Sequence, residues 1–207
     1  MDKLITILIP CRERHAETRR LLQSIQDKTR DHSRVAVITI TDFDRPEDAN
    51  NIQDFMLNGS IPGLSGHRPS NYAPHTPTII DFELYNICRS RSPNLNRDYY
   101  NLANLLSESY FSWILGNDCD IVTDGWDQNL YNATAPYIDD IKHDRKYVYV
   151  HIDDNTHVKD KFIEEGGNCF PIVSQNFSRK IRGPMPEGCN SWGGDTWLWR
   201  GFRELPN

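Results

Sequence analysis

Asp118 and Asp120 stand one residue apart at the end of an apolar run, Ile114-Leu115-Gly116-Asn117-Asp118-Cys119-Asp120. Side chains two positions apart on an extended chain point the same way, so the spacing predicts two carboxylates able to share one hard cation. Oxygen donors of this kind suit Mg2+ or Mn2+, and those ions suit diphosphates. A strand-end turn in which Asn117 and Asp118 bond nearby amides accounts for the same residues without a metal. Two neighbours favour the cation. Asp124 and Asp127 form a second acidic cluster just downstream, and Asp42 and Asp44 end another apolar run. Ligands of open α/β sheets gather at the carboxyl ends of strands.

The second constellation is Cys189-Asn190-Ser191-Trp192-Gly193-Gly194-Asp195-Thr196-Trp197-Leu198-Trp199. Asp195 suits a helix N-cap or first turn, where free amides and the macrodipole stabilise a carboxylate. That role leaves the glycine pair and the tryptophans unexplained. Gly193 and Gly194 permit close backbone approach to a ligand, and the flat face of Trp192 suits a sugar ring or a base. Trp197 and Leu198 read as core. Arg12, Arg14 and Arg97 are placed to offset phosphate charge, whereas Arg179-Lys180-Arg182 reads as a solvated surface cluster. The histidines show no H-E-x-x-H spacing, and neither a P-loop, a G-x-G-x-x-G fingerprint nor a G-x-S-x-G elbow occurs.

The elements that must carry these residues alternate as strand and helix, the pattern of an α/β sheet built from crossover units. Strands are expected at 4–9, 35–41, 110–116 and 146–152. Leu21, Leu22 and Ile25 mark a helix after the turn at 10–15, and Pro46 opens another carrying Ile52, Phe55 and Met56. Residues 58–78, rich in proline and glycine, read as a long surface loop. A helix over 96–107 is expected to turn Tyr99, Leu102, Leu105 and Leu106 inward. Further helices begin at Asp124-Gly125-Trp126 and run over 195–202.

At 207 residues the chain suits one sizeable domain, and 38% hydrophobic with 25% charged residues is ordinary globular composition. A net charge of -6 argues against a broad nucleic-acid-binding face. No apolar run approaches the roughly 18–20 residues that cross a bilayer. Five cysteines, odd in number and free of any C-x-x-C pair, predict reduced thiols and a cytoplasmic location.

The order of these pieces resembles the GT-A class of nucleotide-sugar glycosyltransferases, in particular the inverting family 2. Ile7-Leu8-Ile9-Pro10-Cys11-Arg12-Glu13-Arg14 is similar to that family's first strand and nucleotide loop, Asp42 to its nucleoside-contacting aspartate, and Arg97 with Asn101 to the helix before its metal motif. Asp118-Cys119-Asp120 matches its D-x-D motif, and Gly194-Asp195, about 75 residues downstream, its catalytic base. Two departures stand out: Phe43-Asp44-Arg45-Pro46 replaces the usual Gly-Ser-Thr-Asp, and Gly194 replaces the glutamate of the usual Glu-Asp. The chain also ends soon after Asp195, short of the family's common C-terminal extension.

The resemblance implies a single GT-A (Rossmann-like nucleotide-sugar-binding) domain over 1–207 with a mixed, mainly parallel sheet. About 1–122 would bind the donor and about 123–207 the acceptor. It implies donor contacts at Pro10, Arg12, Asp42, Arg97 and Asp118, and Mn2+ or Mg2+ on Asp118 and Asp120. Asp195 becomes the base, and Trp192, Gly193 and Gly194 the acceptor contacts. The implied reaction moves a sugar, with inversion, from a nucleoside-diphosphate donor (UDP favoured) to a hydroxyl of a glycan or other acceptor. A DNA base is the less favoured acceptor. A sugar-phosphate nucleotidyltransferase and a non-catalytic nucleotide-sugar binding module are the rival readings.

Overall fold

The computed structural model describes residues 3–58, 82–89, 95–152, 170–185 and 194–204. Its centre is a six-stranded sheet in the order β3-β2-β1-β4-β6-β5. The strands are β1 (Lys3–Pro10), β2 (Val35–Asp42), β3 (Glu83–Arg89), β4 (Ser109–Ile114), β5 (Tyr149–Val150) and β6 (Ile172–Ser174). β1, β2, β3 and β4 run parallel, with Ile7 opposite both Val37 and Trp113. β6 is antiparallel to both β4 and β5, so the sheet is mixed and mainly parallel.

Parallel strands need crossovers, and the helices supply them while covering both faces. They are α1 (His15–Lys28), α2 (Pro46–Asn58), α3 (Leu95–Leu105), α4 (Trp126–Thr134), α5 (Ile138–Lys142), α6 (Gln175–Lys180) and α7 (Gly194–Arg203). The period-two rule of strands divides the core cleanly. Ile5, Ile7 and Ile9 of β1 pack with Leu21, Leu22 and Ile25 of α1 and with Trp126 and Leu130 of α4. Leu8, with Ile38 and Ile40 of β2, packs on the opposite face against Tyr99, Tyr100 and Ala103 of α3, Phe177 of α6 and Leu198 of α7. The continuous burial of β1 from Leu4 to Ile9 explains why its sequence lacks alternation.

The strands near 4–9 and 35–41 and the helices at 46 and 195 stand where the sequence places them. Four expectations are corrected. Leu105 and Leu106 are not inward: they are 81% and 53% exposed. Tyr99, Tyr100 and Ala103 define the buried side of α3, Leu105 falls away from it at helical spacing, and the helix ends before Leu106. The run expected as strand over 110–116 is strand only to Ile114, so the aspartate pair follows the strand and is not part of it. The run at 146–152 contributes only Tyr149–Val150 to the ladder. The sheet also gains β3, which the sequence reading lacks: Glu83, Asn86 and Arg89 interrupt its apolar pattern because an edge strand stays partly solvated. The loop expected at 58–78 lies almost wholly outside the described residues.

Candidate active site at the carboxyl edge of the sheet

β1, β2 and β4 end on the same edge, and each delivers part of one polar cluster. Beyond Pro10, the Cys11 N–H donates to the Ile40 carbonyl at 2.8 Å, carrying the ladder one residue past the strand. The chain then turns through Glu13, whose φ of 65° is left-handed. Asp48, buried in the first turn of α2, holds this turn in place. Its carboxylate accepts the Glu13 N–H at 3.1 Å and also bonds His15. Nothing in the sequence marks Asp48 for this task, because an acidic residue in a first helical turn looks like ordinary capping.

Asp42, the last residue of β2, is 1% exposed, and both of its oxygens are engaged. One accepts the Tyr99 hydroxyl; the other accepts Arg12 Nη1 at 3.3 Å. Burial, reinforced by the Asp42 hydrogen bond, raises the Tyr99 hydroxyl well above its ordinary pKa, so it stays a donor. The Arg89 guanidinium lies 5.3 Å from the Tyr99 ring centre. Asp42 therefore braces Arg12, the more exposed partner of the pair. Phe43, next along the chain, is 63% exposed.

Asp118 and Asp120 lie in and just after a turn closed by the Cys119 N–H donating to the Gly116 carbonyl at 3.3 Å. A Cβ at Gly116 would stand 2.8 Å from Asp118 Oδ1, so a larger residue there would displace the Asp118 carboxylate. The turn is stitched to α1, with Asn117 Nδ2 donating to Thr18 Oγ1 at 3.2 Å and the Ile121 N–H to Ser24 Oγ at 3.0 Å. Both carboxylates face α1, and each meets an arginine. Arg14 bonds Asp118, and Arg20 Nε donates to Asp120 Oδ1 at 2.7 Å. The hydrogen bond and charge of Asp120 raise the Arg20 pKa further. All four side chains are about half-exposed. Arg20 is invisible to sequence reading, since it sits on the solvent side of an amphipathic helix and its partner lies 100 residues away.

The second acidic cluster belongs to the scaffold. Asp127 is fully buried and accepts the Arg30 and Asp31 N–H groups, each at 2.9 Å, while Asp124 pairs with Lys28 at 2.7 Å. Asp44 is exposed and Asn101 ties α3 to the Met185 backbone. Arg179 and Lys180 occupy the last turn of α6, a place that the helix dipole favours for cations. Gly194 and Asp195 are the first two residues of α7. Trp192 and Gly193 lie outside the described residues, as do the side chains of Arg97 and Asp195.

No group of three or more His, Cys, Asp or Glu side chains able to hold a metal occurs among the described residues. The Asp118–Asp120 pair nevertheless fits a hard divalent ion, which commonly takes one or two carboxylates and completes its shell with phosphate oxygens and water. Beside it, an apolar pocket of about 460 Å³ is lined by Trp113, Leu115, Ile121 and Trp126. Its walls do not suit phosphate; the arginine-bearing edge does. No helix among the described residues is long and apolar enough to cross a membrane.

No family model matches the chain, and no curated protein does. Solved structures do. S. aureus TarS 1–349 is similar with a TM-score of 0.60 at 12% identity, over 93% of this chain and 53% of that one. The same protein in complex with UDP gives 0.60 at 11% identity, over 93% of this chain and 53% of that one. Mannosyltransferase PcManGT from Pyrobaculum calidifontis, in complex with GDP-Man and Mn2+, gives 0.59 at 11% identity, over 95% of this chain and 50% of that one. The chain spans about half the length of these structures. The likeness defines the fold: a GT-A-like glycosyltransferase fold, as the sequence motifs imply.

Proposed function

We propose that this protein is a glycosyltransferase that moves a sugar from a nucleoside-diphosphate donor to an acceptor hydroxyl, with metal dependence and inversion. The observation that carries this reading is that one edge of a GT-A-like sheet holds both the braced Arg12 and the Asp118–Asp120 pair with its two arginines. Structures sharing the fold hold UDP, UDP-GlcNAc or GDP-Man, which makes UDP and GDP the first donor nucleotides to examine.

In this reading Arg12, held by Asp42 and Tyr99, contacts the nucleotide, and Phe43 offers it a flat apolar face. Pro10 shapes the loop, and Arg97 stands at the start of α3 as a further donor contact. Asp118 and Asp120 would hold Mn2+ or Mg2+, which supplies Lewis-acid stabilisation of the leaving diphosphate. Asp195 would accept the proton of the attacking hydroxyl, while Trp192, Gly193 and Gly194 position the acceptor. A single displacement with one base needs no carboxylate nucleophile and inverts the anomeric centre. The acceptor is a glycan or other hydroxyl compound; the net charge of -6 disfavours DNA.

Calorimetric titration of UDP and GDP, with Mn2+ and then with EDTA, on wild type and Asp120→Ala tests the reading. Binding that needs Mn2+ and is lost in the variant is the expected result. Absence of nucleotide binding under every condition refutes it and leaves a shared fold only.

A further inference from the structure

Arg14 and Arg20 have no assigned role in the proposed transfer, yet they occupy the two carboxylates on which it depends. Arg14, at the N-cap of α1, bonds Asp118. Arg20, on the solvent side of the same helix, bonds Asp120 at 2.7 Å and lies 3.5 Å from the Asp118 carbonyl. These pairs differ from the buried acidic contacts of the molecule and resemble its surface pairs, such as Arg145 with Asp140. Asp42, Asp48 and Asp127 are buried, whereas both members of each Arg14 and Arg20 pair are solvated, and such pairs contribute little and exchange readily. Opening them need not disturb the backbone, because Thr18 and Ser24 of α1 hold the turn through separate hydrogen bonds.

The charges balance in an informative way. Two guanidinium groups neutralise two carboxylates. A divalent cation entering alone would leave the edge with two excess positive charges, and a diphosphate entering alone would leave it negative. Entering together, they nearly cancel. The planar guanidinium fork also suits phosphate oxygens better than a lysine would.

We propose that Arg14 and Arg20 are diphosphate ligands of the donor, parked on Asp118 and Asp120 in the free protein and transferred to the phosphates when a divalent cation takes those carboxylates. The inference rests on the nucleotide-sugar reading of this edge. It makes cation and nucleotide binding mutually reinforcing, as linkage requires of any such exchange.

The test uses Arg20→Gln and the Arg14→Gln/Arg20→Gln double variant of the full chain, titrated with MnCl2 alone and with UDP and GDP in saturating Mn2+. Both arginines are exposed, so the variants keep the fold. Removing the competing guanidinium groups is expected to tighten Mn2+ binding about 3-fold in the single variant and about 10-fold in the double. Losing the phosphate ligands is expected to weaken the nucleotide about 10-fold in the double variant. Opposite signs are the signature. Surface pairs without a role would move neither quantity, and simple competitors would tighten both. Unchanged or weaker Mn2+ binding, or unchanged or tighter nucleotide binding, overturns the inference. If wild type binds a nucleotide with Mn2+ and the variants match it, only this inference fails; if wild type binds neither nucleotide, the proposed function fails with it.

Discussion

Removing the Tyr99 hydroxyl tests whether the buried end of the site is built as described. Tyr99→Phe keeps the ring, and with it the packing on α3 and the Arg89 contact, and deletes only the donor to Asp42. Tyr99 is 2% exposed and Asp42 1%, so water has little room to replace the lost hydroxyl. The remaining partner, Arg12 Nη1 at 3.3 Å, is at the long end of hydrogen-bond distances. A hydrogen bond to a charged group contributes about 1.5–3 kcal/mol. For a chain of this size that corresponds to about 3–12 °C in Tm. Urea unfolding of wild type and variant measures the loss directly, with an unchanged m-value showing that the two-state comparison is sound. The variant should also bind nucleotide more weakly, because Arg12 loses a fixed partner, while Mn2+ alone binds as in wild type. A stability change below about 0.5 kcal/mol, the level of an ordinary surface substitution, would refute the buried Tyr99–Asp42–Arg12 brace.

Three further outcomes follow from particular residues. Asp127→Ala leaves the part-buried Arg30 and Asp31 N–H groups without their acceptor and should cost about 1–3 kcal/mol in urea unfolding. It should leave Mn2+ affinity unchanged, and a change in that affinity would return Asp127 to the metal site. Burial pushes the Cys11 thiol from 9.0 up to about 12, so its contribution to stability is complete below pH 9 and is lost as pH rises from there towards 12. Near pH 10 the unfolded chain has lost this proton and the folded one has not, so Cys11→Ala should flatten the fall of stability by about 1 kcal/mol per pH unit; an identical slope refutes it. Asp195→Asn should leave Mn2+-dependent nucleotide binding intact while slowing transfer about 10²-fold or more, as loss of a general base does. Unchanged turnover would remove Asp195 from that role.

By itself the sequence determined the parallel core of the sheet, since the apolar runs of β1 and β2 are long, β-branched and tolerate burial on both faces. It also determined that acidic residues stand at strand ends and that a helix begins at Gly194-Asp195, because these are local matters of chain direction, turn chemistry and capping. What each acidic residue does was decided by tertiary structure alone. Asp42, Asp118 and Asp127 look alike in a sequence. One is buried under Tyr99 and Arg12, one is half-exposed against Arg14, and one caps the chain after α1, because elements roughly 30 to 100 residues apart meet at each. The same holds for Leu105, apolar yet 81% exposed, and for the edge strand β3, whose neighbour in space supplies the pairing its own residues do not announce. Arg20 is the sharpest case: nothing local distinguishes it from any solvated arginine, and only the crossover that lays α1 beside the turn after β4 brings it to Asp120.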